Sequence, residues 1–181
     1  MNTFKPEWLE PLERLRGATL GSFEWVDPGK MPEPFRGLLV HSGDMTSRLE
    51  AFHRGQIVLE VLRSLDHGDG RYSREVVLRR GRDREAVEYG AIEIFLDVFE
   101  AELRAKILAG NVPLGGLLNA AGLHYHSEPQ AFFVVNSGAV LSALIGVREG
   151  EALYGRCNVL RHDDGRLIAR IVEILPALTG P

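Results

Sequence analysis

The chain has 181 residues, 45% of them hydrophobic, and a formal net charge of -4; that length buries about two thirds of the unfolded surface in one domain. Mild acidity argues against a nucleic-acid partner, which wants a concentrated basic face, and a single cysteine, Cys157, excludes an internal disulfide framework. No window approaches the roughly 18 apolar residues of a membrane span, and MNTFKPEWLE lacks an apolar leader, so the expectation is a soluble cytoplasmic protein with no membrane association.

From Pro6 to Arg16, the residues Trp8, Leu9, Leu12 and Leu15 recur at helical spacing, with a proline tolerated in the first turn. Glycines and prolines from Gly17 to Pro34 interrupt any pattern and predict a loop or arm. Residues 1–40 therefore read as an N-terminal helix and arm on a single domain spanning 1–181, ending in a short apolar segment from Phe35 to Val40. Ser42 to Gln56 predicts a short helix: Asp44 and Thr46 are possible N-caps, Leu49 and Phe52 share a face, and Gly55 is the stop.

After Gly55 the period changes to alternation. Three runs, Ile57 to Leu65, Tyr72 to Arg80 and Glu85 to Ile94, are divided by DHGDG and RGRD turns and predict an antiparallel meander. The basic cluster from Arg79 to Arg84 alternates with acid at one of these turns and reads as a solvated hairpin tip. Phe95 to Ala109 predicts an amphipathic helix closed by Gly110, and a second short helix starts at Pro113. A fourth strand is expected from Ala131 to Val135, while Gly138 to Gly146 fits either a strand or a buried helix. The chain closes with a hairpin, Ala152 to Arg161 and Arg166 to Leu175, joined by HDDG. The sum is an α+β domain with a six-stranded, mainly antiparallel sheet flanked by helices. No exposed heptad or interface stripe fixes an oligomeric state.

Two charged residues stand in apolar rows. In the last strand Leu167, Ala169, Ile171, Glu173 and Leu175 share one face, and an ionised carboxylate left dry without a partner costs several kcal/mol. Arg74 shares a face with Val76 and Leu78 in the second run. An inward arginine and an inward glutamate suggest a small buried polar site that binds a carboxylate through the guanidinium fork and a hydroxyl through Glu173. The plainer alternatives are a structural Arg74 to Glu173 ion pair, or two edge positions that reach water. Other candidates carry less: His124 and His126 would face the same way on a strand but lack a third ligand, so no metal is expected. Cys157 reads as a small buried hydrophobe, Gly115 and Gly116 lack the rest of a phosphate loop, and Ser137 lacks a nucleophile-elbow context.

Four separated pieces, DMT at Asp44 to Thr46, YSREVVL at Tyr72 to Leu78, PLG at Pro113 to Gly115, and the tail from LYGR through VEILP, resemble the chorismate pyruvate-lyase family in order and spacing. The resemblance covers about Val40 to Pro176. It implies a chorismate lyase-like fold enclosing a pocket for an aromatic or enolpyruvyl acid, with Arg74 and Glu173 as catalytic and substrate-binding side chains and backbone contacts at Met45 and Leu114. Those two backbone positions lie at expected helix starts, where free N–H groups attract anions. The implied reaction eliminates pyruvate from chorismate to leave 4-hydroxybenzoate or a related aromatic acid, without metal or redox cofactor. Glu173 would act as general base, or only orient the 4-hydroxyl. The same fold resembles effector-binding domains of some bacterial transcription regulators, which makes a non-catalytic aromatic-acid binder the alternative. A third reading is an interaction protein whose pocket has lapsed.

Overall fold

The computed structural model describes residues 9–177. Its core is one seven-stranded sheet: β1 (Gly21–Trp25), β2 (Ile57–Asp66), β3 (Arg71–Arg80), β4 (Ala86–Phe95), β5 (Tyr125–Ser137), β6 (Ala152–His162) and β7 (Leu167–Leu175), in the order β1-β5-β6-β7-β4-β3-β2. Every neighbouring pair is antiparallel. Six helices accompany it among the described residues: α1 (Glu10–Arg16), α2 (Phe35–Leu39), α3 (Met45–His53), α4 (Ala101–Ala109), α5 (Leu114–Ala120) and α6 (Ala139–Ile145). The α+β class with a mainly antiparallel sheet is therefore as expected. No described helix is long and apolar enough to cross a membrane.

The strand count is seven and not six because the expected arm, Gly17 to Pro34, contains β1. It pairs with the C-terminal end of β5, Gly21 opposite Ser137, and buries Leu20 and Phe23. Gly21, read from sequence as a breaker, is what permits the pairing: a side chain there would overlap the Asn136 carbonyl. Phe23 then meets Phe133 edge to face at 5.0 Å. Trp8, expected on the first helix, lies outside the described residues.

Three further expectations shift. The helix expected over Phe95 to Ala109 starts only at Ala101: the ladder of β4 extends to Phe95, opposite Arg71, and a short 3-10 turn at Leu96–Val98 follows. Gly110, with φ 69, ends α4 as expected. The Ala131 to Val135 strand is the middle of a much longer β5, whose register shifts at Pro129, where the ladder lacks a donor. The ambiguous Gly138 to Gly146 run is helical, burying Leu141 and Ile145. The meander strands and the closing hairpin fall within a residue or two of their expected limits. In α3 the Asp44 side chain accepts from the Ser47 N–H at 2.9 Å, as an N-cap should.

Strands β3 and β4 are buried along nearly their whole length because both faces of the sheet are covered. On one face Val77, Tyr89, Ala91, Val172 and Ile174 pack with Leu12 of α1 and Leu141 of α6. The other face carries two separate apolar clusters. Leu38, Met45, Leu49 and Leu78 form one under α2 and α3, and Ile92, Ile107, Leu114, Leu118 and Leu160 form the second under α4 and α5. The gap between these clusters holds the candidate site.

Candidate functional site

The gap is a cavity of about 80 Å³, several times the roughly 10–15 Å³ that one water needs. Its floor is the sheet: Arg74 and Val76 from β3, Glu88, Gly90 and Ile92 from β4, Ile171 and Glu173 from β7, and Arg156, Asn158 and Leu160 from β6. Its roof is the start of α3, at Met45 and Thr46, and the start of α5, at Leu114 and Gly115. Gly90 keeps the floor low, since a Cβ there would lie 2.9 Å from a Val76 methyl. All four residues expected to form a site, Met45, Arg74, Leu114 and Glu173, thus line one cavity.

Arg74 is 2% exposed, and its Nε and Nη1 have no hydrogen-bond partner. Burial holds its pKa below the usual arginine value, and no carboxylate is among the groups that oppose the shift. Arg74 faces the cavity because it alternates with Val76 on β3 and sits opposite Ile92 on β4. A buried guanidinium with free donors is costly unless something anionic completes it.

Glu173 is not the partner of Arg74. It lies directly opposite Arg156 on β6, and the Arg156 Nε donates to Glu173 Oε2. Arg156 is 0% exposed, and its Nη1 also donates to the Leu39 carbonyl at 3.0 Å and to the His41 carbonyl at 2.8 Å. Leu39 ends α2, where carbonyls lack helical partners and a cation is favoured. Arg156 therefore ties β7, β6 and the 39–41 corner together, while its Nη2 remains without a partner. The expected structural Arg74 to Glu173 pair is replaced by an Arg156 to Glu173 pair, and Arg74 is left over.

Glu88 is a further acid on the cavity floor, 4% exposed, with Oε2 unpartnered. Burial raises its pKa well above the carboxylate range; Glu173 and Asp44 push it further up, and Arg156 opposes them. The period-two test that singles out Glu173 also finds Glu88, which shares a face with Gly90, Ile92 and Ile94. Beside these groups Asn158 Nδ2 donates to Ser127 Oγ at 2.9 Å.

The remaining candidates lie elsewhere. Cys157 faces the opposite side of the sheet, and burial, with Glu173 adding, pushes its thiol up to about 12, so neighbouring Arg156 does not activate it. His126 contacts Asp163 at 3.1 Å, and no group of three or more metal-ligating side chains occurs among the described residues. Ser137 Oγ donates to the Arg148 carbonyl at 2.9 Å and accepts from Ser142, a structural role. In the Arg79 to Arg84 tip, Arg79 pairs with Glu60 and Arg80 with Asp83 and Glu85.

No protein-family model matches the sequence, and no curated protein matches it either. Solved structures do. PhnF from Mycobacterium smegmatis superposes with a TM-score of 0.60 at 13% identity, covering 92% of this chain and 93% of that one. The effector domain of the same protein gives 0.57 at 13% identity over 75% and 89%. The ligand-binding domain of a protein from Bordetella bronchiseptica, assigned to the GntR family of transcriptional regulators, gives 0.54 at 13% identity over 67% and 86%. At such identity the likeness establishes the fold: the chorismate lyase-like α+β architecture of regulator effector domains, with the sheet described above.

Proposed function

We propose that this chain is a small-molecule binding domain that recognises an organic acid in the cavity between α3, α5 and the sheet. One observation carries the reading. Arg74 is buried, has no acid beside it, and presents free donors to a cavity; an anionic ligand supplies what the fold does not. Apolar walls from Ile92, Leu114, Leu160 and Ile171 suit the hydrocarbon body of an aromatic acid. The first residues of α3 add backbone N–H groups on the same wall. Fold neighbours described as effector and ligand-binding domains support a binder over an enzyme. The test is calorimetric titration with benzoate and 4-hydroxybenzoate. Saturable binding is expected, weakened about tenfold to a hundredfold in Arg74→Met, the size of a lost charge-assisted hydrogen bond. Unchanged affinity in that variant would overturn the reading.

A second reading is the chorismate pyruvate-lyase reaction, favoured by one fact: Arg74, Glu173, Met45 and Leu114 line a common cavity, as the resemblance implies. In it, Arg74 holds the ring carboxylate, and Glu173 meets the other end of the ring. Glu173 Oε2 is already engaged by Arg156, which suits an orienting role better than proton abstraction. Pyruvate release from chorismate, abolished in Arg74→Met, would establish turnover; binding of 4-hydroxybenzoate without pyruvate release would leave the binder alone.

A further inference from the structure

Three side chains lining the cavity have buried polar atoms without partners: Arg74, Glu88 and, through Nη2 alone, Arg156, whose other nitrogens are engaged. Arg74 offers donors at one end; Glu88 offers an oxygen at the other. On β3, Arg74 and Leu78 are four residues apart on one face, and Glu88 lies opposite Leu78. Strand rise separates the two ends by about 13 Å between Cα atoms, with Val76 and Gly90 between them. The charges follow the same axis. Around Arg74 there is no acid to offset its burial. Around Glu88 stand Glu173 from β7 and Asp44 from the cap of α3, against one cation, Arg156 from β6, whose Nε is taken by Glu173 and whose Nη1 is taken by two carbonyls, leaving Nη2 free. A second anionic group at that end would meet acids on three elements.

We propose that the ligand is bipolar: an acid group held by Arg74 and a primary ammonium held at Glu88, on a short apolar frame that spans the two. The proposal rests on the binding-domain reading and specifies the ligand class for the same cavity. Glu88 pairs with the arriving ammonium as the carboxylate, and a proton that its raised pKa retains goes to solvent, so binding of the amine is coupled to proton release; an amine that stays charged brings no proton of its own to lose.

The test compares 4-(aminomethyl)benzoate with 4-(hydroxymethyl)benzoate, which are alike in shape and differ in charge at one end. Calorimetry at pH 7 in phosphate and in Tris buffers reads affinity and proton release together. The expected result is at least tenfold tighter binding of the aminomethyl compound, with proton release seen for it alone. Glu88→Gln, which keeps the shape of the buried acid, is expected to remove both the preference for the aminomethyl compound and the proton release. Equal affinities, a preference that survives in Glu88→Gln, or failure of the aminomethyl compound to bind would each overturn the bipolar ligand. Benzoate binding that still depends on Arg74 would then leave the binding-domain reading standing, whereas loss of benzoate binding as well would remove both.

Discussion

Residues 74 and 75 are neighbours on β3 and point to opposite faces of the sheet, and both are charged and almost fully buried. Glu75 accepts hydrogen bonds from Arg16 Nε at 3.2 Å and from the Tyr89 hydroxyl, and Arg16 Nη2 completes an ion pair with it. Burial, with Glu75 adding, keeps that tyrosine protonated by raising its pKa well above the ordinary value. Arg74 has free donors and an open space in front of it. Burial of charge is thus common to both faces and marks neither. What separates a structural cluster from a binding site here is whether the fold itself satisfies the group.

Removing each charge should therefore act in opposite directions. Glu75→Gln leaves the Arg16 guanidinium against a neutral group in a largely dry site, and breaking such a pair costs about 3 kcal/mol or more. A urea titration should show the unfolding free energy fall by that much, as a lower midpoint with the slope unchanged, and an effect below about 1 kcal/mol would erase the contrast between the faces. Arg74→Met removes a desolvated cation that nothing offsets and replaces it with a flexible apolar chain of similar length. Its expected effect on the ligand-free protein is a gain of about 1 kcal/mol, together with the loss of acid binding described above. A destabilised Arg74→Met variant would mean that the guanidinium has a structural partner after all.

Period-two alternation was enough to place Arg74, Glu173 and the strands that carry them, because the side-chain direction of a strand is fixed once one face is known to be buried. Met45 and Leu114 came from the resemblance alone, and their position at expected helix starts gave the backbone role a physical reason. The partner of Glu173 was not legible, for a local reason. Counting outward from the HDDG turn, the pair Arg161 and Leu167 implies a register in which Arg156 meets Val172; the irregularity between Leu160 and Arg161 advances it by one, so Arg156 meets Glu173. One bulged residue decides which arginine neutralises the glutamate and which remains free. Strand β1 was hidden differently, since its glycine reads as a breaker until the close approach to Asn136 is seen. Glu88 was present in the pattern, but its lack of a partner depends on how β6, β7 and α3 converge, which no local window contains.

Glu88 supplies the finest test of the contrast, through pH. Burial, Glu173 and Asp44 raise its folded-state pKa, while in the unfolded chain the group titrates near 4.3. The folded protein therefore holds a proton that the unfolded chain has released, and that difference favours folding fully below the unfolded value and is lost as pH rises through the folded one. Gln at this position cannot titrate, so thermal unfolding of the two proteins should diverge as pH rises from about 5, with the wild type losing ground to Glu88→Gln until the folded-state pKa is passed. A saturating aminomethyl ligand reverses the advantage, because it is the ionised form that it binds. Parallel curves in the absence of ligand would show that Glu88 already has an internal partner, and would place it with Glu75 among the groups the fold satisfies.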